Sequence, residues 1–267
     1  MARLKLQRFR ASEPPDDVQA RTIRVYKGRD LHHRPGELPP ISAETLFGVS
    51  APLVLDLGCG RGEFLVEQAG AQPGRYFVGF EWHIKSVWAA ANRAHAANLD
   101  NVRIVRADLR LALPIVPDGA ADEVLLLFPP PKLAPGERKD DLLSEPLLRQ
   151  IHRILLPGGL LHFVTDHAAY FAAKRALIEG SGLFAVQGES SAFEGGLTRF
   201  QRIWEAKDIA SQRLECSQAL ERVMHLVLLT RGRGALFTSP PGLAALGLSP
   251  SPCMERGRRG APAPRRG

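Results

Sequence analysis

Three acidic side chains stand at the ends of three apolar segments, next to a glycine-rich turn. Asp56 lies in the run VLDLGCGRG at 54–62, Glu81 ends the segment YFVGFE, and Asp108 follows the segment VRIVRA. Glycines in such a turn let the backbone approach a ligand closely, because no Cβ intervenes. Glu81 lies 25 residues beyond Asp56, where an acid can accept hydrogen bonds from both ribose hydroxyls. The pattern predicts a pocket for a ligand that contains a nucleoside.

Asp56 favours one of two nucleoside-containing cofactors. In enzymes that use NAD the glycine turn faces a pyrophosphate, and a carboxylate beside two phosphates is unfavourable. The same carboxylate is useful beside the ammonium group of a methionine moiety. The residues therefore favour S-adenosyl-L-methionine over NAD, with Asp56, Gly58 and Gly60 near its methionine end. The alternative is that the acids end their strands at a solvated edge without any ligand.

Polar residues also follow the later apolar segments. The run FPPPK at 128–132 comes after one of them, Asp166 closes the next, and the run TRFQR at 198–202 stands between the last two. Asp166 could contact a substrate or cap the helix that we expect to begin near 168, and both roles remain open. Thr198 could be an ordinary loop residue, but its neighbour Arg199 favours a functional role.

Short β-rich segments alternate with amphipathic helical segments from 51 to 230. This order is typical of an α/β, Rossmann-like fold, in which helices cover both faces of a mostly parallel sheet. We predict seven strands, at 53–57, 76–80, 102–106, 123–128, 160–165, 184–187 and 223–229, and helices at 62–71, 84–98, 142–155 and 168–181. The run PGG at 157–159 is expected to end a helix directly before the fifth strand.

Length and composition fit one folded domain with an additional segment at each end. A chain of 267 residues can bury a full core, and 45% hydrophobic with 24% charged residues is ordinary for a globular protein. We predict a basic N-terminal extension at 1–50, a folded domain at 51–230 and a disordered Arg-, Pro- and Gly-rich tail at 231–267. No apolar run could cross a bilayer and no signal-peptide pattern begins the chain, so we expect a cytoplasmic protein without membrane contact.

The net charge of +7 indicates a polyanionic partner. Residues 231–267 carry seven arginines against one acid, and residues 1–50 carry nine basic residues against six acids, so the central part is slightly acidic. A nucleic acid would therefore bind mainly to the basic N-terminal segment, unless both ends are merely solvated. The three cysteines form no CxxC pair and the histidines lack ligand spacing, so no metal site is expected.

The motifs together resemble those of one enzyme family. The run DLGCGRGEF resembles the first motif of class I methyltransferases. The runs GFEWH, FPPPK, VTDH and TRFQ are similar, in order and approximate spacing, to motifs of the bacterial tRNA (guanine-N7)-methyltransferase family, TrmB. The resemblance covers about 51–230. It implies a class I methyltransferase fold, S-adenosyl-L-methionine as methyl donor, and transfer to N7 of a guanine in the variable loop of tRNA.

The resemblance also implies roles for individual residues. Asp108 is expected at the adenine of the cofactor. Asp166 and Thr198 are expected to act as the catalytic pair that positions the guanine. The further substrate contacts that it implies are Arg199, Gln201 and Lys132. The resemblance further implies that the protein binds tRNA, needs no metal and is a monomer or a homodimer.

The chain departs from the family pattern on the substrate side. Where the family has FPDPW, Pro130 replaces the aspartate and Lys132 replaces the aromatic residue, and Gln201 replaces the glutamate of TRFE. The dense basic run of the family is reduced to the two residues 138–139. N7 of guanine carries an unprotonated lone pair, so methylation needs orientation and no proton removal. Asp166 or Gln201 can accept hydrogen bonds from N1–H and N2–H, and the departures therefore predict a weaker grip on the base.

Two other functions remain open at the level of the sequence. One is an amino-methyltransferase of nucleic-acid bases, whose Asn/Asp-Pro-Pro-aromatic motif is similar to FPPPK. Phe128 and Pro131 stand where that motif needs a polar and an aromatic side chain, which argues against it. The other is a protein that binds the cofactor or RNA without catalysis, which would fit the loss of an acid at 130. An active tRNA methyltransferase accounts for more of the motifs.

Overall fold

An eight-stranded β-sheet forms the centre of the structure, a computed structural model that describes residues 10–134, 136, 141–190, 202 and 210–219. The strands are β1 (Ile23–Val25), β2 (Leu53–Leu57), β3 (Tyr76–Glu81), β4 (Val102–Arg106), β5 (Ala121–Leu127), β6 (Leu155–Thr165), β7 (Phe184–Ser190) and β8 (Gln212–Gln218). Their order across the sheet is β1-β4-β3-β2-β5-β6-β8-β7. Neighbours from β1 to β6 are parallel, and β8 is antiparallel to both β6 and β7.

Helices cover both faces of this sheet. Within the described residues they are α1 (Asp16–Thr22), α2 (Gly28–His33), α3 (Ala43–Phe47), α4 (Glu63–Ala71), α5 (Ile84–Ala96), α6 (Leu109–Ala112), α7 (Glu145–Ile154) and α8 (Ala168–Ser181), with 3-10 turns at Pro35–Glu37 and Leu113–Ile115. Helices α4 and α5 pack with β2, β3 and β4 in one hydrophobic cluster. Helices α7 and α8 pack in a second cluster on the other face. In the described part of the chain no helix is long and apolar enough to span a membrane.

Strand β2 lies at the point where the order of the strands reverses. All five of its residues are buried, as expected for a strand that is covered on both faces. The chain continues from β2 to β3 and β4 on one side and then crosses to β5 on the other. In open α/β sheets, ligands bind in the crevice outside the carboxyl ends of the strands at this switch point.

The expected α/β, Rossmann-like fold with helices on both faces is confirmed, but the sheet has eight strands and not seven. Strands β2 and β4 and helix α8 have the predicted bounds. The additional strand β1 lies in the N-terminal segment. The strand expected at 223–229 lies outside the described residues. A strand that the sequence analysis did not predict, 212–218, lies antiparallel beside β6, and its buried Leu214 and Cys216 alternate with polar residues.

The run PGG at 157–159 does not end a helix. Helix α7 ends at Ile154, and β6 begins at the next residue. The register passes from the pair Ala121 and Leu155 to the pair Glu123 and Leu160, so the run bulges out of the ladder. Gly158 supports this bulge with a φ of 78°. The strand is therefore longer than a proline and two glycines indicate.

The basic N-terminal segment packs against the sheet over residues 10–50. Strand β1 pairs with β4 in parallel, with Ile23 opposite Ile104. The segment also contributes apolar side chains to the core, among them the buried Val18, Tyr26 and Leu31. These residues share the sheet and the core with the following residues, and the domain limits that we give above stay a prediction.

Candidate active site

A cavity of about 690 Å³ opens at the carboxyl ends of the central strands. The residues that line it come from the ends of β2, β3, β4 and β5 and from both ends of the β5–α7 connection: they include Leu57, Gly58, Glu81, Trp82, Asp108, Phe128, Pro129, Pro130 and Leu142. The cavity lies at the switch point of the sheet, where a ligand is expected. The structure therefore brings together two of the three predicted acids, Glu81 and Asp108, at this cavity. The third, Asp56, directly precedes Leu57, which lines the cavity.

The glycine turn after β2 has a backbone conformation that residues with a side chain rarely adopt. Gly58, Gly60 and Gly62 have φ values of 104°, 57° and 73°. A Cβ on Gly62 would lie 2.7 Å from the Cβ of Ala90, so this glycine also lets α4 pack closely on α5. The N–H groups of Gly58 and Cys59 donate to the carbonyl of Phe80 at 3.0 Å, which fixes the turn against β3. The turn is thus shaped for close approach of a ligand.

Asp56 carries an unsatisfied buried oxygen. The residue is 2% exposed, and within the described residues its Oδ1 has no hydrogen-bond partner. Burial, with a smaller contribution from the negative charge of Glu81, raises the pKa of this carboxyl to about 7. A buried acceptor without a donor costs free energy, and a cationic ligand group would supply the donor. The arrangement fits the ammonium group of S-adenosyl-L-methionine, and it does not fit a pyrophosphate.

Glu81 and Asp108 are oriented by local hydrogen bonds. The backbone N–H of His83 donates to Oε1 of Glu81 at 2.7 Å, which holds the carboxylate at the cavity. The backbone N–H and Nε of Arg110 donate to Oδ1 of Asp108 at 3.0 Å, and its Nη2 donates to Oδ2 at 2.7 Å. The side-chain hydrogen bonds from Arg110 lower the pKa of Asp108. Both acids are therefore oriented acceptors at the cavity wall, with lone pairs left for a ligand.

Trp82 is a site residue that the sequence analysis did not single out. Its side chain is 58% exposed, and it lines the same cavity as Glu81 and Asp108. A large exposed ring at the edge of a pocket gives a flat apolar surface on which a nucleobase can stack. A signal was present in the sequence, since this tryptophan directly follows the acid assigned to the ribose.

The FPPPK run follows β5 and begins with a residue, Phe128, whose backbone is strained. Phe128 has a φ of 51°, which bulky residues rarely adopt, and its N–H donates to the carbonyl of Val164 at 2.7 Å. Phe128, Pro129 and Pro130 then form part of the cavity wall. Lys132 is half-buried and lies beyond the residues that line the cavity. Backbone strain of this kind is concentrated at functional sites.

Asp166 does not cap α8. The cap is His167, whose Nδ1 accepts a hydrogen bond from the backbone N–H of Tyr170 at 3.2 Å. The N–H of His167 in turn donates to Oγ1 of Thr165 at 3.2 Å. The capping role that we considered for Asp166 is therefore wrong. This half-buried carboxyl stands at the end of β6, next to β5, and within the described residues no hydrogen bond engages it.

Three predicted site residues lie outside the described residues, namely Thr198, Arg199 and Gln201, and so do the two residues of the reduced basic run, Arg138 and Lys139. The structure therefore gives no position for three of the five predicted substrate contacts. Among the residues that it does describe, no group of three or more His, Cys, Asp or Glu side chains could hold a metal ion.

Comparison with known proteins gives a family match and curated relatives. Residues 50–213 match the model of a family described as putative methyltransferase. The tRNA (guanine-N(7)-)-methyltransferase of Chloroflexus aurantiacus is 38% identical over 217 residues, which cover 81% of this chain and 96% of the relative. The enzyme of the same name from Rubrobacter xylanophilus is 36% identical over 219 residues, which cover 80% and 98%.

A solved structure also resembles this one. It is described as an antibiotic related methyltransferase, and it superposes with a TM-score of 0.51 at 17% identity, covering 68% of this chain and 96% of that one. At this level of identity the likeness concerns the fold alone.

Proposed function

This chain belongs to the tRNA (guanine-N7)-methyltransferase family, and on that premise we propose how its strand ends hold the methyl donor and the guanine. The protein is an S-adenosyl-L-methionine-dependent enzyme that methylates N7 of a guanine in tRNA. The proposal concerns the roles of individual residues, the location of the guanine in the variable loop, and the surface that binds tRNA. A tRNA substrate would place the activity in the cytoplasm.

In this proposal, the ends of β2, β3 and β4 would hold the cofactor. Oδ1 of Asp56 would accept a hydrogen bond from the ammonium group, and the turn at Gly58 and Gly60 would let the backbone approach the methionine moiety. Glu81 would accept hydrogen bonds from the ribose hydroxyls and Asp108 from the adenine amino group. When bound, S-adenosyl-L-methionine supplies a methyl group on a positively charged sulfur. The unpartnered oxygen of Asp56, buried beside the glycine turn, is the observation that carries the proposal.

Asp166 positions the guanine. Transfer to the N7 lone pair would break the bond between the methyl group and the sulfur, with S-adenosylhomocysteine as the leaving group, and would remove no proton from the base, so the surrounding residues need only orient it. The carboxylate of Asp166 has no partner within the described residues and can accept hydrogen bonds from N1–H and N2–H. The strained turn at Phe128 shapes the wall beside the donor. Thr198, as the second catalytic residue, and Arg199, Gln201 and Lys132, as substrate contacts, remain part of the proposal.

The tRNA backbone binds, in this proposal, to the N-terminal segment. The Nη1 of Arg24 donates to the carbonyls of Ala20 at 2.7 Å and Ile23 at 2.9 Å. Arg103, in the neighbouring strand β4, is likewise held by carbonyls. Guanidinium groups that are fixed by neutral carbonyls keep their charge for phosphate oxygens.

The nucleoside that gains the methyl group tests this function. Unmodified tRNA is incubated with the protein and labelled cofactor, and the labelled nucleoside is identified after digestion. We expect 7-methylguanosine with a transcript that has guanine in the variable loop, and no label there when that guanine is replaced by adenine. A methylated amino group on adenine or cytosine would contradict the assignment. A protein that binds the cofactor yet labels no tRNA would be a non-catalytic binder.

A further inference from the structure

The connection between β5 and α7 contributes to the cavity wall from both of its ends. Phe128, Pro129 and Pro130 line the cavity where the connection begins, and Leu142 lines it shortly before α7. Outside regular structure, such a wall keeps its shape only where side chains attach it to the body of the protein. Asp141, directly before Leu142, makes that attachment.

Asp141 is bound by two residues of α8. The hydroxyl of Tyr170 donates to its Oδ1 at 2.8 Å, and Nζ of Lys174 pairs with its Oδ2. The same Nζ donates to the carbonyl of Leu143 at 2.7 Å. Tyr170 and Lys174 are four residues apart and therefore lie on one face of α8. We call these three residues, Asp141, Tyr170 and Lys174, the Asp141 anchor.

The Asp141 anchor is almost fully removed from water. The side chains of Lys174 and Asp141 are 9% and 11% exposed, and Tyr170 is completely buried. Burial and then the hydrogen bond to Asp141 raise the pKa of Tyr170, so its hydroxyl stays a donor. A buried ion pair is a weak source of stability, because both ions lose their water, and apolar residues often replace it without loss. The ion pair between Lys174 and Asp141 is better explained by the fixed position that it and the Tyr170 hydroxyl give to Asp141.

Tyr170 connects both elements of the substrate side. Its hydroxyl holds Asp141 and hence the end of the cavity wall. Its backbone N–H donates to Nδ1 of His167, the cap of α8 that directly follows Asp166. Tyr170 thus contacts both the end of the cavity wall and the turn that carries Asp166, the residue proposed to bind the guanine.

We propose that Tyr170, through the Asp141 anchor, is a positioning residue for methyl transfer. It holds Leu142, at the end of the β5–α7 connection, and Asp166 at a fixed separation, so that the guanine is presented in line with the methyl group. This inference rests on the proposed role of Asp166. Tyr170 touches neither cofactor nor substrate, and it acts only through the two elements that it connects.

The variant Tyr170→Phe removes one hydroxyl and keeps the ring, which packs edge-on against Phe163 at 5.9 Å between centroids. We expect kcat for tRNA methylation to fall about tenfold, since small misplacements of reacting groups cost large factors in rate. The affinity for S-adenosyl-L-methionine should change less than twofold. The matched control is Tyr26→Phe, because the hydroxyl of that buried tyrosine donates to the carbonyl of Pro39 and neither residue lines the cavity, so kcat should stay unchanged.

A second variant separates positioning from stability. Asp141→Leu combined with Lys174→Met and Tyr170→Phe replaces every polar side chain of the Asp141 anchor by an apolar side chain of similar size, so that no buried hydroxyl is left without an acceptor and the fold should persist with a similar Tm. If the pair serves only the fold, kcat will persist as well. We expect kcat to fall as in Tyr170→Phe. Wild-type kcat in both variants would overturn the proposal.

Hydrogen exchange tests the anchor without relying on activity. In Tyr170→Phe, the amides of Phe128 and His167, which the structure shows donating to Val164 and Thr165, should exchange faster than in Tyr26→Phe. Unchanged exchange at both amides would refute the coupling. If the wild-type protein methylates no tRNA while exchange follows the expectation, the proposed function fails and the anchor remains.

Discussion

The cofactor side and the substrate side of the site are built in different ways. On the cofactor side, backbone pairing between strands sets the positions of the acids. Asp56 stands opposite Gly79 in the ladder of β2 and β3, and Glu81 stands opposite Arg106 in the ladder of β3 and β4. A ladder of backbone hydrogen bonds fixes the separation of these side chains within the sheet.

On the substrate side, the positions of the site residues depend on contacts between distant parts of the chain. The FPPPK run and Asp166 lie on connections, and Asp141 attaches its connection to α8. The same side carries the departures from the family, with Pro130, Lys132 and Gln201 at its motifs. The comparison teaches that backbone pairing of parallel strands can position a cofactor site with few requirements on the sequence. On the substrate side, a change of a site residue requires matching changes in the side chains that position it.

The largest expected effect separates the two sides. Asp166→Ala should lower kcat for tRNA methylation by about 10²-fold or more, because the base would lose its orienting acceptor at the transition state. The affinity for S-adenosyl-L-methionine should stay unchanged. Calorimetry and single-turnover kinetics measure the two quantities. An equal loss in kcat and in cofactor affinity would mean that the cofactor side and the substrate side are not independent.

The converse change lies on the cofactor side. Glu81→Ala should weaken cofactor binding by about 10- to 100-fold, since a hydrogen bond to a charged acceptor contributes roughly 1.5–3 kcal/mol. The affinity for tRNA should remain that of the wild type. Titration calorimetry with S-adenosylhomocysteine, beside a filter-binding assay with tRNA, checks both expectations. Unaltered cofactor affinity would remove Glu81 from the site.

The pH dependence of cofactor binding tests Asp56. Its carboxyl has a pKa of about 7 in the free protein, and a bound ammonium group should lower that value. Below pH 7 a proton must leave when the cofactor binds, so affinity should fall with decreasing pH by up to about tenfold per unit. Above pH 7 the affinity should level off. Asp56→Asn should bind more weakly at pH 8 and lose this dependence, and a persistent dependence would assign it to another group.

A smaller gain of function is expected on the substrate side. Pro130→Asp restores the acid of the family motif at the cavity wall, and it should raise kcat several-fold if orientation of guanine limits the rate. Pro130→Asn is the matched control, because it removes the same proline without adding a charge. A rate that drops in both variants would indicate that the rigid turn matters more than the acid.

The smallest effect concerns the basic N-terminal segment. Deletion of residues 1–29 is not a clean test, because it would remove β1 and the buried Val18 and Tyr26. Arg24→Gln should instead weaken tRNA binding a few-fold and reduce the slope of log affinity against log salt by about 1, as for one lost phosphate contact. The control is Arg149→Gln, at an exposed residue of α7 that pairs with Glu145. Equal slopes for both variants would move the tRNA surface elsewhere.

The sequence by itself determined the frame of the site. The strands β2 and β4, the glycine turn and the order of elements were readable because turn chemistry and burial periodicity are properties of neighbouring residues. For the same reason the acids Asp56, Glu81 and Asp108 could be placed at strand ends from the order of residues alone. The three-residue strand β1 and the strand β8, with only two buried apolar residues, carry too weak a local signal.

The tertiary structure alone decided which side chains find partners. It left the oxygen of Asp56 without a donor within the described residues, made His167 and not Asp166 the cap of α8, and buried Asp141, which in sequence belongs to a charged loop. Asp141 meets Tyr170 across 29 residues, and no local pattern encodes such a contact. Partner choice across that distance depends on how helices pack on the sheet, and that packing is a property of the whole fold.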